Sequence, residues 1–351
     1  MRADGPVRVG VRCDADVRSG VGHLIRCVAL VEELLARGVE VVFLSRLDDV
    51  GWASRQLSSR GLRIVPPASG AAYLVRQALE LGLAAVVLDG YELDPDTGKA
   101  LRESGVVVLD VLDGDFGRQE ADLYLDQNLG AEHAPFDGPE GSVRLAGMQY
   151  ALLREVVREN RPTAPRPTTE PAVFDIVAFF GGTDAHDAAP VVVPLLLQTG
   201  VAMQVRVVAG RSKLARQLAV LPTEAGQRIE VLEPTDDLPR LAAASDLVVC
   251  ASGTSLWEML CVGAPSAILA VTRNQEIGYQ AVVTGEFAVG LGRLDQLCTD
   301  DTARVEAVRS LATLLRNPER RARLSDRGWA LVDGRGRERV AEALLGVARP
   351  A

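Results

Sequence analysis

Three short stretches hold the residue types from which chemistry could be built. The first is Arg12-Cys13-Asp14-Ala15-Asp16-Val17-Arg18-Ser19-Gly20-Val21-Gly22-His23. It follows an apolar run, so it reads as a strand end, a glycine turn and a helix start. Gly20 and Gly22 permit a tight turn and close approach of a ligand. His23 then stands at a helix N-terminus, where outward N–H groups favour anions. An imidazole there suits general-base work near neutral pH. The second stretch is Phe179-Phe180-Gly181-Gly182-Thr183-Asp184, again after an apolar strand. Gly181, Gly182 and Thr183 suit phosphate or sugar contact, and equally suit a plain strand-to-helix turn. The third runs from Cys250 to Glu258. Ser252, Gly253, Thr254 and Ser255 leave backbone N–H groups open at a helix start, which is what a diphosphate needs. Glu258 lies one turn into that helix, where a carboxylate could accept ribose hydroxyls. A capping-box role remains open for it. Further on, Asn274 and Gln275 follow a strand end, a placement that suits a sugar.

The elements that must position these residues alternate. Apolar runs at Val7–Arg12, Val39–Leu44, Leu62–Pro66, Ala85–Asp89 and Val106–Asp110 read as strands. Leu24–Arg37 between them has helical apolar spacing and ends at Gly38. Arg161–Pro171 breaks the pattern with four prolines and reads as a stiff linker. The alternation restarts with Phe174–Phe180, Gln204–Val208, Ile229–Leu232, Asp246–Cys250 and Ser266–Val271 as strands, and Ser255–Val262 and Asn274–Thr284 as helices. The expected fold is α/β, with two doubly wound, Rossmann-like domains facing each other across a cleft. In such sheets ligands bind beyond the carboxyl ends of the strands. The domains expected are residues 1–160, a linker at 161–171, a nucleotide-binding domain at 172–335, and a last helix at 336–351 packing back on the first domain. Closure of the two domains on the ligand is expected.

Composition narrows the classes. The 351 residues carry a formal net charge of -9 and only 4% aromatics. An acidic chain without a basic block is a poor partner for nucleic acid or an anionic membrane. No apolar run approaches the ~20 residues that span a bilayer, and no secretory leader is evident. Cys13, Cys27, Cys250, Cys261 and Cys298 form no CxxC pair, so reduced thiols in a cytoplasmic protein are expected and a zinc site is not. His133 and His186 sit in polar stretches and read as solvated. The Walker, HExxH, GxSxG and GxGxxG patterns are missing, which disfavours an ATPase, a zincin, an α/β hydrolase and a dinucleotide fingerprint.

The order of these stretches resembles a known family. RCDADVRSGVGHLIRC is followed by LDGYELD (Leu88 to Asp94), DLYLDQNLGA (Asp122 to Ala131) and GMQYALLR (Gly147 to Arg154). FFGGTD, SGTSLWEMLCVGAP, TRNQ and VDGRGRERV then complete the order. The chain resembles the nucleotide-sugar hydrolases of the pseudaminic acid pathway and the related spore-coat polysaccharide proteins, of the GT-B superfamily. The resemblance implies a UDP-sugar substrate, with water attacking the anomeric carbon and UDP leaving. It implies His23 as the base, with Tyr91 beside it and Asp14 or Tyr91 orienting the ring or the water. Asn274 is implied at the sugar, Gln275 beside it, and Glu258 at the uridine ribose. No cofactor and no metal are implied; the helix start at Thr254 would stabilise the leaving diphosphate.

Some positions depart from the family pattern: Asp89-Gly90-Tyr91 where Asp-His-Tyr is usual, and Asp16, Ser19 and Val111. They ring the sugar side, so transfer to a small-molecule acceptor, in polysaccharide or secondary-metabolite biosynthesis, stands as an alternative. A non-catalytic nucleotide-sugar binding protein stands as another.

Overall fold

The computed structural model describes residues 6–15, 21–47, 51–112, 117–165, 167, 169–182, 184–210 and 212–348. The chain divides into two units, Met1–Glu155 with Gly334–Ala351, and Val156–Asp333. The first unit holds β1 (Arg8–Arg12), β2 (Glu40–Leu44), β3 (Arg63–Val65), β4 (Ala85–Leu88), β5 (Val107–Val111), β6 (Leu123–Asp126) and β7 (Val143–Ala146). They pair in parallel in the order β3-β2-β1-β4-β5-β6-β7. The second unit holds β8 (Phe174–Phe179), β9 (Met203–Val208), β10 (Gln227–Leu232), β11 (Leu247–Ala251), β12 (Ser266–Ala270) and β13 (Val289–Arg293). Their order is β10-β9-β8-β11-β12-β13, again parallel. Each sheet is doubly wound: strand order reverses between β1 and β4, and between β8 and β11.

Crossover helices cover both faces of a parallel sheet, so its inner strands need apolar residues at every position rather than at alternate ones. β4 (AVVL) and β12 (SAILA) are buried throughout. β3 and β10, at one margin of each sheet, are more exposed. Register then fixes where the loops leave. Arg12 pairs with Leu88, so the segments after β1 and β4 emerge side by side. Cys250 pairs with Phe179, which does the same for β11 and β8. Helix Gly22–Ala36 stops where Gly38 takes a positive φ of 75°. Among the described residues no helix is long and apolar enough to cross a membrane.

The proline-rich stretch expected as a linker lies inside the second unit. Arg161 donates to the carbonyls of Cys261 (2.6 Å), Trp329 (2.8 Å) and Val332 (2.8 Å), and stacks on the Trp329 ring. Arg321, fully buried, donates to Thr169 O at 2.7 Å. These two side chains fasten the stretch to the helix Pro318–Leu331, and the chain passes between units at 155/156 and 333/334 instead. The helix Gly336–Ala348 belongs to the first unit. Val340, Ala341, Leu344 and Leu345 join the core formed by β1, β2 and helix Gly22–Ala36. Arg337 enters among Glu32, Glu33 and Glu155.

That docking leaves no room at Gly336: a Cβ there would collide with the backbone of Tyr150 and Ala151. Gly336→Ala is therefore expected to cost about 1–3 kcal/mol, despite alanine's better helix propensity. Urea unfolding of the variant beside the parent checks it. Unchanged or raised stability would show that the helix docks less closely.

Candidate functional site

At the first unit's carboxyl edge, the segment after β1 is tied down at once. Arg12 donates from Nη1 and Nη2 to the two oxygens of Asp14, each at 2.7 Å, and the Arg46 amide donates to Asp14 Oδ1 at 2.8 Å. Asp14 thus clamps the exits of β1 and β2 together. Asp16–Gly20, with Gly20 of the expected turn, lie outside the described residues. Gly22 opens the helix, whose N-cap Val21 offers no side-chain cap.

His23 comes next, and its partner is Asp89, directly after β4. His23 Nδ1 lies 2.5 Å from Asp89 Oδ1. Asp89 is fully buried. Arg26 grips it with Nε to Oδ2 and Nη2 to Oδ1, both at 2.6 Å, and the Cys27 thiol donates to Oδ2 at 3.3 Å. Burial works against the ionised carboxyl, yet the charges and hydrogen bonds of Arg26 and His23 outweigh it and hold Asp89 well below the usual carboxylate range. An ionised carboxylate only accepts, so Nδ1 carries the hydrogen toward Asp89, and Arg26 Nη2, 3.0 Å from Nδ1, spends its donor on Asp89 Oδ1 at 2.6 Å. The neutral ring then keeps its lone pair on Nε2, the arrangement a general base needs. The Tyr91 ring meets the imidazole edge-on, with centroids 4.8 Å apart.

Asp89 thus holds the ring through Nδ1 and Tyr91 meets its edge, whereas Asp14, expected with Tyr91 to orient the ring or the water, is bound by Arg12 and the Arg46 amide. The signal available was topological: a carboxylate immediately after the strand that neighbours β1 across the reversal. Asp110, on β5 and level with Leu88, is a second carboxyl that sequence reading passed over. Burial raises it to about 7, opposed by the Gln119 amide and reinforced by the charge of Asp89.

In the second unit the same edge presents small residues. Gly181 takes φ 94°, a turn that favours glycine. Gly182 follows; Thr183 lies outside the described residues. The Asp184 carboxylate accepts the amides of Ala188 (2.8 Å) and Ala189 (3.0 Å), so it caps the helix Ala189–Leu197. After β11, the Ser252 amide donates to Leu269 O, while the buried Ser252 hydroxyl has no protein partner. Gly253 and Thr254 lead into the helix Ser255–Cys261, whose N-cap Thr254 makes no side-chain cap, and Glu258 is buried in its first turn. Gln275 accepts the Val271 amide at 3.0 Å, and its Nε2 would lie 3.4 Å from a Cβ on Gly253. Gln275 thus links the β12 exit to the β11 turn. Asn274 accepts the Thr272 hydroxyl at 2.5 Å. His133 and His186 are exposed. Among the described residues no group of three or more His, Cys, Asp or Glu is placed to hold a metal ion.

No family model matches the chain. It is 22% identical over 364 residues to the spore coat polysaccharide biosynthesis protein SpsG of Bacillus subtilis, covering 96% of this chain and 98% of that one. It is 21% identical over 272 residues to an uncharacterized protein of Methanocaldococcus jannaschii, covering 75% of this chain and only 55% of that protein's length. The structure of Acinetobacter baumannii MurG matches with a TM-score of 0.69 at 17% identity, covering 97% of this chain and 100% of that one. The fold is GT-B. The S. aureus MnaA–UDP structure shares this GT-B architecture, with a TM-score of 0.63 at 13% identity, covering 97% and 96%. So does the spinosyn rhamnosyltransferase SpnG complexed with thymidine diphosphate, with a TM-score of 0.60 at 14% identity, covering 96% and 100%. A GT-B fold is the one expected from the sequence.

The raised Asp110 has a consequence for stability. Its unfolded value is near 3.9, so between about pH 4 and pH 7 the folded chain binds more protons than the unfolded one. Its contribution is thus fully present below about pH 4 and is lost as pH rises through about 7. Asp110→Asn should flatten that decline, which approaches ~1.4 kcal/mol per unit of pKa shift. Chemical denaturation of both proteins across pH 4 to 8 checks this; parallel curves would contradict it.

Proposed function

We propose that the chain is an enzyme that cleaves the anomeric C–O bond of a UDP-linked sugar and passes the sugar to a hydroxyl acceptor. The observation that carries this reading is the Asp89-oriented imidazole of His23 at the carboxyl edge of a GT-B unit. In the reaction the acceptor oxygen gives its proton to His23 Nε2 and forms a bond to the anomeric carbon. The bond from that carbon to the phosphate oxygen breaks, and its electron pair leaves with UDP. Asp89 stays ionised and stabilises the imidazolium through Nδ1–H, the logic of a buried carboxylate behind a catalytic imidazole.

In the same reading Gly181, Gly182 and Thr183 with Ser252–Ser255 receive the diphosphate, and backbone N–H groups stabilise the charge that gathers on it. Glu258 takes the ribose hydroxyls, and Asn274 and Gln275 the sugar. The nucleotides named in the MnaA and SpnG structures support a nucleoside diphosphate as ligand, and SpnG, named a rhamnosyltransferase, supports transfer. The second reading is hydrolysis with water as acceptor, favoured by the motif order shared with the pseudaminic-pathway hydrolases. Both readings use His23 identically.

The test is a panel of nucleotide sugars with nucleotide release followed, with and without candidate acceptors. Release that depends on an acceptor supports transfer; release in water alone supports hydrolysis. Tight UDP binding with no release from any donor would make the chain a binding protein. Whichever acceptor serves, His23→Ala should lower kcat by ~10²–10⁴ with UDP affinity kept. Glu258→Ala should weaken UDP binding by about 1.5–3 kcal/mol, measured by calorimetry; unchanged affinity would remove Glu258 from the nucleotide site.

A further inference from the structure

Arg26 is given no part in the reaction above, yet it is the side chain that holds Asp89. It is buried, and its fork meets the carboxylate side-on, Nε to Oδ2 and Nη2 to Oδ1, both at 2.6 Å. Two parallel bonds fix a carboxylate in position and in plane, which a single charge contact does not. The Cys27 thiol occupies Oδ2 further, so Oδ1 is the oxygen presented to the imidazole. Arg26 and His23 are three residues apart on one helix, and Nη2 lies 3.0 Å from Nδ1. The helix therefore delivers the ring and the clamp of the ring's partner to one point.

We infer that Arg26 is a positioning residue for His23: acting through Asp89, it fixes the carboxylate that fixes the ring. The inference rests on the reading of His23 as the base, and it assigns to this ion pair more than stability. A buried ion pair alone would be satisfied by any cation of similar reach. A positioning role needs the planar fork, because lysine supplies the charge as a point and loses the second bond.

The experiment uses the full-length Arg26→Lys and Arg26→Gln variants with three readouts. The first is proton NMR of the unliganded protein, in which the short Nδ1–H bond to Asp89 should give a far-downfield imidazole signal that His23→Ala lacks. The second is kcat and KM with the donor found in the panel. The third is the melting temperature. We expect Arg26→Lys to stay close to the parent in melting temperature but to lose the downfield signal. Its kcat should fall by ~10²-fold, the scale of a misplaced catalytic group, with KM within about twofold. Arg26→Gln should show the same losses and melt lower. If Arg26→Lys keeps both signal and kcat while melting lower, Arg26 is structural and the inference is overturned. Absence of a His23-dependent signal in the parent overturns it as well. If the parent turns over no nucleotide sugar, the proposed activity fails by itself, and the NMR comparison still decides the role of Arg26. If Arg26→Gln does not fold, the lysine variant carries the test.

Discussion

A carboxylate with no exposed surface must be neutralised where it stands, and Asp89 sets that demand at the end of β4. Leaving such a charge unpaired inside a protein costs several kcal/mol. The helix Gly22–Ala36 meets the demand with three consecutive contributions, from His23, Arg26 and Cys27, which reach the same two oxygens. Because all three come from one helix, its rotation and its starting point are fixed relative to β4. The ionic contact is thus the fixed reference from which the position of the imidazole follows.

The two units place their candidate site residues by one rule and fill the places differently. In each, the residues leave the sheet where strand order reverses, at β1 and β4 or at β8 and β11. The first unit fills the position with titrating side chains. The second fills it with small residues, among them Gly181, Gly182, Ser252, Gly253 and Thr254. Proton transfer needs the former; holding a diphosphate needs the latter.

The central strands were legible because burial on both faces forces uninterrupted apolar runs. β6 (LYLD), β7 (VRLA) and β13 (VGLGR) were not, since a charge or glycine breaks each run and little remains to distinguish it from a loop. The placement of His23, the Ser252–Ser255 turn and Glu258 at helix starts was legible because its signals are local: a strand end, small residues, a helix start. Asp89 could not, because it lies 66 residues from His23 and only strand order brings the two together. Asp184 was quoted with the Gly181–Thr183 turn without a role of its own, and its carboxylate serves a helix cap a few residues on. The proline-rich stretch shows how remote partners act on a locally read segment. Its composition announces a linker, but Arg161 and Arg321, whose partners are remote in sequence, bind it into a packed unit.

The return of the chain to the first unit at Gly334 sets an order of events during synthesis. All the strands of the first sheet leave the ribosome early, but Val340, Leu344 and Leu345, which belong to the same core, are made only after the whole second unit. The second unit, contiguous from Val156 to Asp333, is complete while the first still lacks a helix. The first unit therefore cannot complete its core before the second has been made, a departure from simple N-terminal-first folding. From the completion of β7 until that helix is made, the part of the core it covers stays open beside helix Gly22–Ala36, an apolar surface suited to capture by chaperones. A truncation that removes only the helix Gly336–Ala348 would leave that part open for good.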